Sequence, residues 1–126
     1  MAGGHCCHVH PKDALGAHGE DLAAAHLVEA GLRVIDRNWR CPIGELDIVA
    51  REGNTLVFCE VKTRRSNAFG DPAEAVNWRK ARKLRQLAGQ WLTEHDEHAR
   101  EVRFDVVAVL AGPGTPATVR HLRAAL

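Results

Sequence analysis

The sequence predicts an α/β fold of element order αβββαβ, with a mixed sheet flanked by helices. Two stretches show helical spacing of apolar residues, one near the N-terminus and one over residues 71–93. Three β-type apolar runs lie between them, joined by short turns, and a fourth follows the second helix. At 126 residues and 45% hydrophobic, the chain is long enough for one compact domain with a real core.

Residues 1–11 carry His5, Cys6, Cys7, His8 and His10 without periodicity and end at Pro11. This cluster lacks the loop spacing of a structural zinc site. The segment is expected to be a disordered tail, leaving residues 12–126 as the folded domain. Asp13 caps a helix running to about Ala30, and Gly31 ends it. Leu15, Leu22, Ala23, Leu27 and Ala30 form its inward stripe, with His18, Asp21 and Glu29 on the outer side. Glu20 falls inside the apolar arc, between Ala23, Ala24 and Leu27, where a carboxylate either reaches an interior partner or marks a site.

Arg33–Arg40 reads as the first strand. Pro42-Ile43-Gly44 turns into the second, Glu45–Arg51, and Glu52-Gly53-Asn54 closes a hairpin into the third, Thr55–Lys62. After a polar loop, Asp71-Pro72-Ala73-Glu74 opens the second helix with a cap, a proline at the first position and a capping-box glutamate. Val76, Leu84, Leu87 and Trp91 define its apolar stripe, and the helix ends near Thr93. The fourth strand is Val102–Leu110. The Gly112–Pro116 break then leads to an edge strand over Ala117–Leu122. Strands one to three form an antiparallel meander, and the second helix crosses over to place strand four parallel to strand three.

The net charge of +1 conceals an uneven distribution. Residues 1–61 carry 5 basic and 9 acidic groups, whereas residues 62–85 carry 8 basic and 2 acidic. Such a basic block suits a polyanion, or else forms a solvated helix face. No stretch approaches the apolar length of a membrane span, and no signal-type core opens the chain. Cysteines at 6, 7, 41 and 59 make no disulfide framework, and Cys59 alternates with core residues as a reduced thiol. A cytoplasmic location, away from membranes, is expected.

The apolar third strand ends in Glu60-Val61-Lys62. Strand alternation puts Glu60 and Lys62 on one face, roughly 6–7 Å apart, and charges there need partners or a ligand. Asp47 sits on the neighbouring strand. Asp47 and Glu60 can grip one Mg²⁺ from one face of the sheet, Glu20 can complete the acidic group, and Glu45 is a reserve ligand. Lys62 can orient the attacking water or stabilise charge on a scissile phosphate. Lys80 lies along the apolar stripe of the second helix, either snorkelling or reaching a carboxylate or phosphate. Arg64, Arg65, Arg79 and Lys83 suit backbone phosphates. Trp39 and Trp78 are candidates for stacking on bases, with core or rim packing as their ordinary role.

Gly16-x-x-Gly19-Glu20-x-x-Ala23, Arg37-Asn38-x-Arg40, Gly44-Glu45-x-Asp47, Val57-Phe58-x-Glu60-Val61-Lys62-x-Arg64 and Arg103-Phe104-Asp105-Val106-Val107 together resemble the YraN-like family of small bacterial proteins. The resemblance spans roughly residues 12–122. It implies the restriction-endonuclease-like fold of PD-(D/E)xK nucleases, close to Holliday junction resolvases. On that resemblance Glu20, Asp47, Glu60 and Lys62 would be catalytic, with Mg²⁺ or Mn²⁺ as cofactor. Leu46 replaces the proline of the superfamily motif, and Lys80 falls where the family tends to place a helix lysine.

The expected function is metal-dependent endonucleolytic cleavage of DNA, branched or junction structures included, with RNA left open. A two-fold dimer would suit a junction substrate. The rival readings are a non-catalytic nucleic-acid-binding module and a structural protein in which Glu60 and Lys62 form an internal salt bridge.

Overall fold

The computed structural model describes residues 14–65, 78–112, 114 and 116–126. Helix α1 (Ala14–Glu29) is followed by strands β1 (Arg33–Cys41), β2 (Gly44–Glu52) and β3 (Thr55–Arg64). Helix α2 (Trp78–Glu94), β4 (Glu101–Leu110) and β5 (Thr118–Leu122) complete the order. The N-terminal tail, the Asp13 cap, the Asp71 cap and Val76 fall outside the described residues.

The sheet runs β1-β2-β3-β4-β5. The meander β1–β2–β3 is antiparallel, β4 lies parallel to β3 over its whole length, and β5 pairs antiparallel at the edge. This is the mixed α/β architecture expected from the sequence. Helix α1 ends in a Schellman motif: Gly31 takes φ +98°, Leu32 N–H donates to the Leu27 carbonyl, and Gly31 N–H to that of Val28, each at 3.0 Å. Ala30 is therefore the exposed capping residue and not part of the inward stripe.

Two cores sandwich the sheet. On the α1 side Ala23 and Leu27 pack with Ile48, Ala50, Val57, Cys59, Val107 and Val109. On the α2 side Leu84, Leu87, Ala88 and Trp91 pack with Trp39, Leu46, Val49, Leu56 and Phe58. Each fully buried Val, Leu, Ile or Phe among them contributes roughly 1.5–3 kcal/mol of burial. Gly19 sets the closeness of α1 to the sheet, because a Cβ there would collide with the Thr63 side chain of β3.

Strict alternation fails at a register shift between Val34 and Asp36 of β1, and again further along the same strand pair. Arg37 pairs with Ile48 and Trp39 with Leu46 in unbroken register, yet Ile48 belongs to the α1-side core and Leu46 to the α2-side core. Residues two apart on one strand normally share a face. The two strands change faces together at Asn38, whose φ of +54° lies in the left-handed region that asparagine tolerates. Asp47 lies across from it on β2.

Candidate functional site

At this kink β2 stops pairing regularly with β3; the ladder's last matched pair is Ile48 with Cys59. The Asp47 carboxylate takes over the next position, accepting a hydrogen bond from the Val61 N–H at 2.8 Å. Asp47 is thus bound to the peptide joining Glu60 and Val61. An aspartate can replace a strand carbonyl in this way because its oxygen reaches a backbone donor that burial would otherwise leave unsatisfied.

Glu60 continues the Phe58 side of β3 toward α2. It borders a cavity of about 340 Å³ together with Gly44, Glu45, Arg79, Lys80, Lys83, Leu84 and Leu87. A Cβ at Gly44 would press on the Lys83 Cε at 3.1 Å, the mobile end of a side chain that also borders the cavity. Lys62 Nζ lies 3.1 Å from Glu60 Oε2, both side chains being mostly sheltered. The ion pair considered in the structural reading therefore forms, but Lys62 also meets Lys80. Burial pushes the Lys62 ammonium down, and contact with the Lys80 amine and the Glu60 carboxylate outweighs this and holds it above the ordinary lysine range. Lys80 is held below that range, first by hydrogen bonding to Lys62, then by burial and by the Lys62 charge.

Glu20 is 5% exposed and has a polar partner, as its place on the apolar arc requires. Its helix lies on the opposite side of the sheet from the cavity, with the Gly19–Thr63 contact bringing it onto β3 beside Lys62. Among the described residues no three His, Cys, Asp or Glu side chains gather into a metal cage. The structure brings together Asp47, Glu60, Lys62 and Lys80; it does not assemble Glu20 with Asp47 and Glu60 as a ready-made triad. The two strand carboxylates still fit a hard cation, because Mg²⁺ commonly binds through one or two carboxylates and takes its other ligands from water and substrate phosphate.

Of the basic residues, Arg79, Lys80 and Lys83 border the cavity, and the Arg64 charge is felt at Lys80. Arg65 is exposed just beyond β3. Glu45 also borders the cavity and meets Arg40 of β1 at 3.4 Å. Trp39 is buried in the α2-side core, whereas Trp78 is 68% exposed. Cys59 is a buried free thiol, pushed up by burial, and it takes no part in the site.

A second charged cluster was not singled out chemically from the sequence. Asp105 of β4 is fully buried and accepts from Arg103 Nε at 2.9 Å and Nη2 at 3.0 Å, and from Ala124 N–H at 2.9 Å. His121 Nε2 lies 2.6 Å from its Oδ2. Glu52 binds Arg103 at 2.9 Å and Arg123 at 2.6 Å. The signal was available: Arg103-x-Asp105 is a same-face charge pair on an apolar strand, like Glu60-x-Lys62.

Residues 19–109 match a family described as "Uncharacterised protein family UPF0102". A UPF0102 protein of Beutenbergia cavernae is 62% identical over 112 residues, covering 89% of this chain and 95% of its own length. One from Rhodococcus opacus is 56% identical over 87% of this chain and 93% of its own. A third, from Frankia alni, is 55% identical over 90% and 95% respectively. With the family match covering most of the domain and such relatives nearly end to end, the chain belongs to the UPF0102 (YraN-like) family.

Proposed function

We propose that the protein is a metal-dependent endonuclease that hydrolyses phosphodiester bonds in DNA. The observation that carries this reading is the Asp47–Val61 bond. It brings a carboxylate from β2 to the peptide beside Glu60, and Glu60 itself lines a cavity edged by Arg79, Lys80 and Lys83. Two carboxylates beside several cations make a poor apolar-ligand site and a good one for a phosphodiester with a bridging cation.

Asp47 and Glu60 would hold the Mg²⁺ or Mn²⁺. When bound, the ion supplies Lewis-acid activation of water and neutralises charge developing on the phosphate. Lys62 is positioned by Glu60 and offers a proton donor to the leaving or non-bridging oxygen. Lys80, held below the ordinary lysine range, gives up its proton more readily than a free lysine and is in hydrogen-bond contact with Lys62. Arg64, Arg79 and Lys83 orient flanking phosphates without reading sequence. Glu20 is the third carboxylate of the proposed set, buried on the helix that Gly19 seats against Thr63 of β3.

The test is cleavage of labelled duplex, single-stranded, flap and four-way-junction DNA with Mg²⁺, Mn²⁺ or EDTA. The expected result is metal-dependent cutting that Asp47→Ala and Lys62→Ala abolish. Binding without cutting under either metal would instead establish a non-catalytic nucleic-acid-binding protein. The observation favouring that rival is the Glu60–Lys62 ion pair, which engages both groups with each other.

A further inference from the structure

Trp78 is the most exposed large apolar side chain among the described residues, 68% open to solvent. It opens the described part of α2, pointing away from the Leu84, Leu87 and Trp91 stripe that faces the sheet. The Arg79 guanidinium lies over its ring, 5.5 Å from the centroid. Arg79 also borders the cavity that holds Glu60, so ring and cavity adjoin through one side chain. Arg82, one helical turn beyond Trp78, is exposed as well, and so is Lys83.

A large flat ring left in water among cations has a definite complement. An apolar protein surface would have to strip water from Arg79, Arg82 and Lys83 to reach the indole, which is unfavourable without carboxylates to meet them. A nucleic-acid strand brings phosphates for the cations and a π-face for the ring. Within a duplex the bases are already stacked on one another, so away from its ends a free π-face requires an unpaired base.

We propose that Trp78, steadied by Arg79, is a stacking platform for an unpaired base, so that the strand entering the adjoining cavity is single-stranded there, as in a flap, a loop or an opened junction. This rests on the reading of the cavity as a phosphodiester site, and it names the substrate class of that site. Arg79 has two roles in it: one plane of contact with the indole and a place at the cavity edge.

The test separates bases from phosphates. The full chain is titrated in EDTA with a single strand of about 12 nucleotides, a blunt duplex and an abasic strand of equal length. Trp39 and Trp91 are only 6% and 1% exposed, so quenching of solvent-exposed tryptophan emission reports on Trp78. The single strand should quench it and the abasic strand should bind without quenching. Trp78→Ala should lower the ratio of single-strand to duplex affinity about tenfold, and Trp78→Phe should restore most of it. Unchanged thermal melting of both variants establishes that the fold is intact. Equal quenching by the abasic strand, an affinity ratio unmoved in Trp78→Ala, or no single-strand binding at all overturns the platform. Metal-dependent cutting with an unmoved ratio removes the platform alone. A ratio that collapses without any cutting supports the platform and removes the nuclease reading alone.

Discussion

The sheet carries two charged clusters one register step apart, and they differ in how far they are sealed from solvent. Asp105 pairs with Cys59 in the β3–β4 ladder, and Glu60 with Val106. Alternation sends Asp105 to the α1 side and Glu60 to the α2 side. Asp105 is sealed from solvent, with Arg103, His121 and the Ala124 N–H all directed at its two oxygens. Burial pushes its carboxyl up, but those contacts prevail and hold it below the ordinary range. The Glu60 cluster is half-open, includes two lysines in contact, and borders a cavity. A buried charge with every lone pair met is a structural lock; two lysines in contact beside a cavity mark a candidate site.

Removing Asp105 should have the largest effect. Asp105→Ala leaves Arg103 and His121 without their buried carboxylate partner and should cost about 3–5 kcal/mol in urea unfolding. A loss under about 1 kcal/mol would erase the distinction between lock and site. Lys62→Ala should behave in the opposite sense. Stability should fall by less than in Asp105→Ala, because loss of Lys62 also relieves its like-charge contact with Lys80, while the cleavage rate falls at least about 100-fold, measured side by side on one preparation. If Lys62→Ala unfolds the protein instead, its pair with Glu60 is as structural as Asp105.

Gly19→Ala tests the third element, the approach of α1 to β3. The added methyl meets the β-branched and therefore stiff Thr63, so a loss of about 1–3 kcal/mol is expected, with Thr63→Ser or Thr63→Ala in the same chain recovering part of it.

The acid limb of stability should belong to the closed cluster. Arg123 and Arg103 hold the Glu52 carboxyl below its usual range, and Asp105 is lowered as well. Both carboxyls have folded values below their unfolded ones. As pH falls below about 4 the unfolded chain binds more protons than the native one. Their contribution is thus present above the ordinary carboxylate range and lost as pH falls through the folded values. Urea midpoints measured from roughly pH 6 down to pH 2 should fall less steeply in Asp105→Asn than in the parent. The smallest effect should come from the cavity edge: Arg79→Ala with Lys83→Ala should reduce the salt dependence of DNA binding by about one to two phosphate contacts without altering base preference.

Much of this was readable along the chain. The run Leu56–Cys59 has only one way to bury itself, and the short turns at Gly44 and Gly53 leave an antiparallel meander as the connection. The same-face spacing of Glu60 and Lys62 follows from strand geometry, and Glu20 on an apolar arc announces a buried carboxylate. The spacing rule was nonetheless blind to meaning. Arg103-x-Asp105 and Glu60-x-Lys62 present the same pattern, and what separates them is supplied by distant residues: His121 and Ala124 for one, Asp47 and Lys80 for the other. Asp47 could be placed on a face only by assuming regular alternation, which the left-handed Asn38 breaks.

The sequence by itself determined the element order, the parallel crossover and the residues able to carry chemistry, because periodicity and turn chemistry are local and repeat along the chain. The tertiary structure decided which charges are sealed in the core and which border the cavity. It also turned Asp47 onto the Glu60–Val61 peptide, set the Glu20 helix on the far side of the sheet, and buried Trp39 while exposing Trp78. Those outcomes depend on contacts between residues far apart in sequence, and the energy of a charge depends on how many such partners the fold brings within reach.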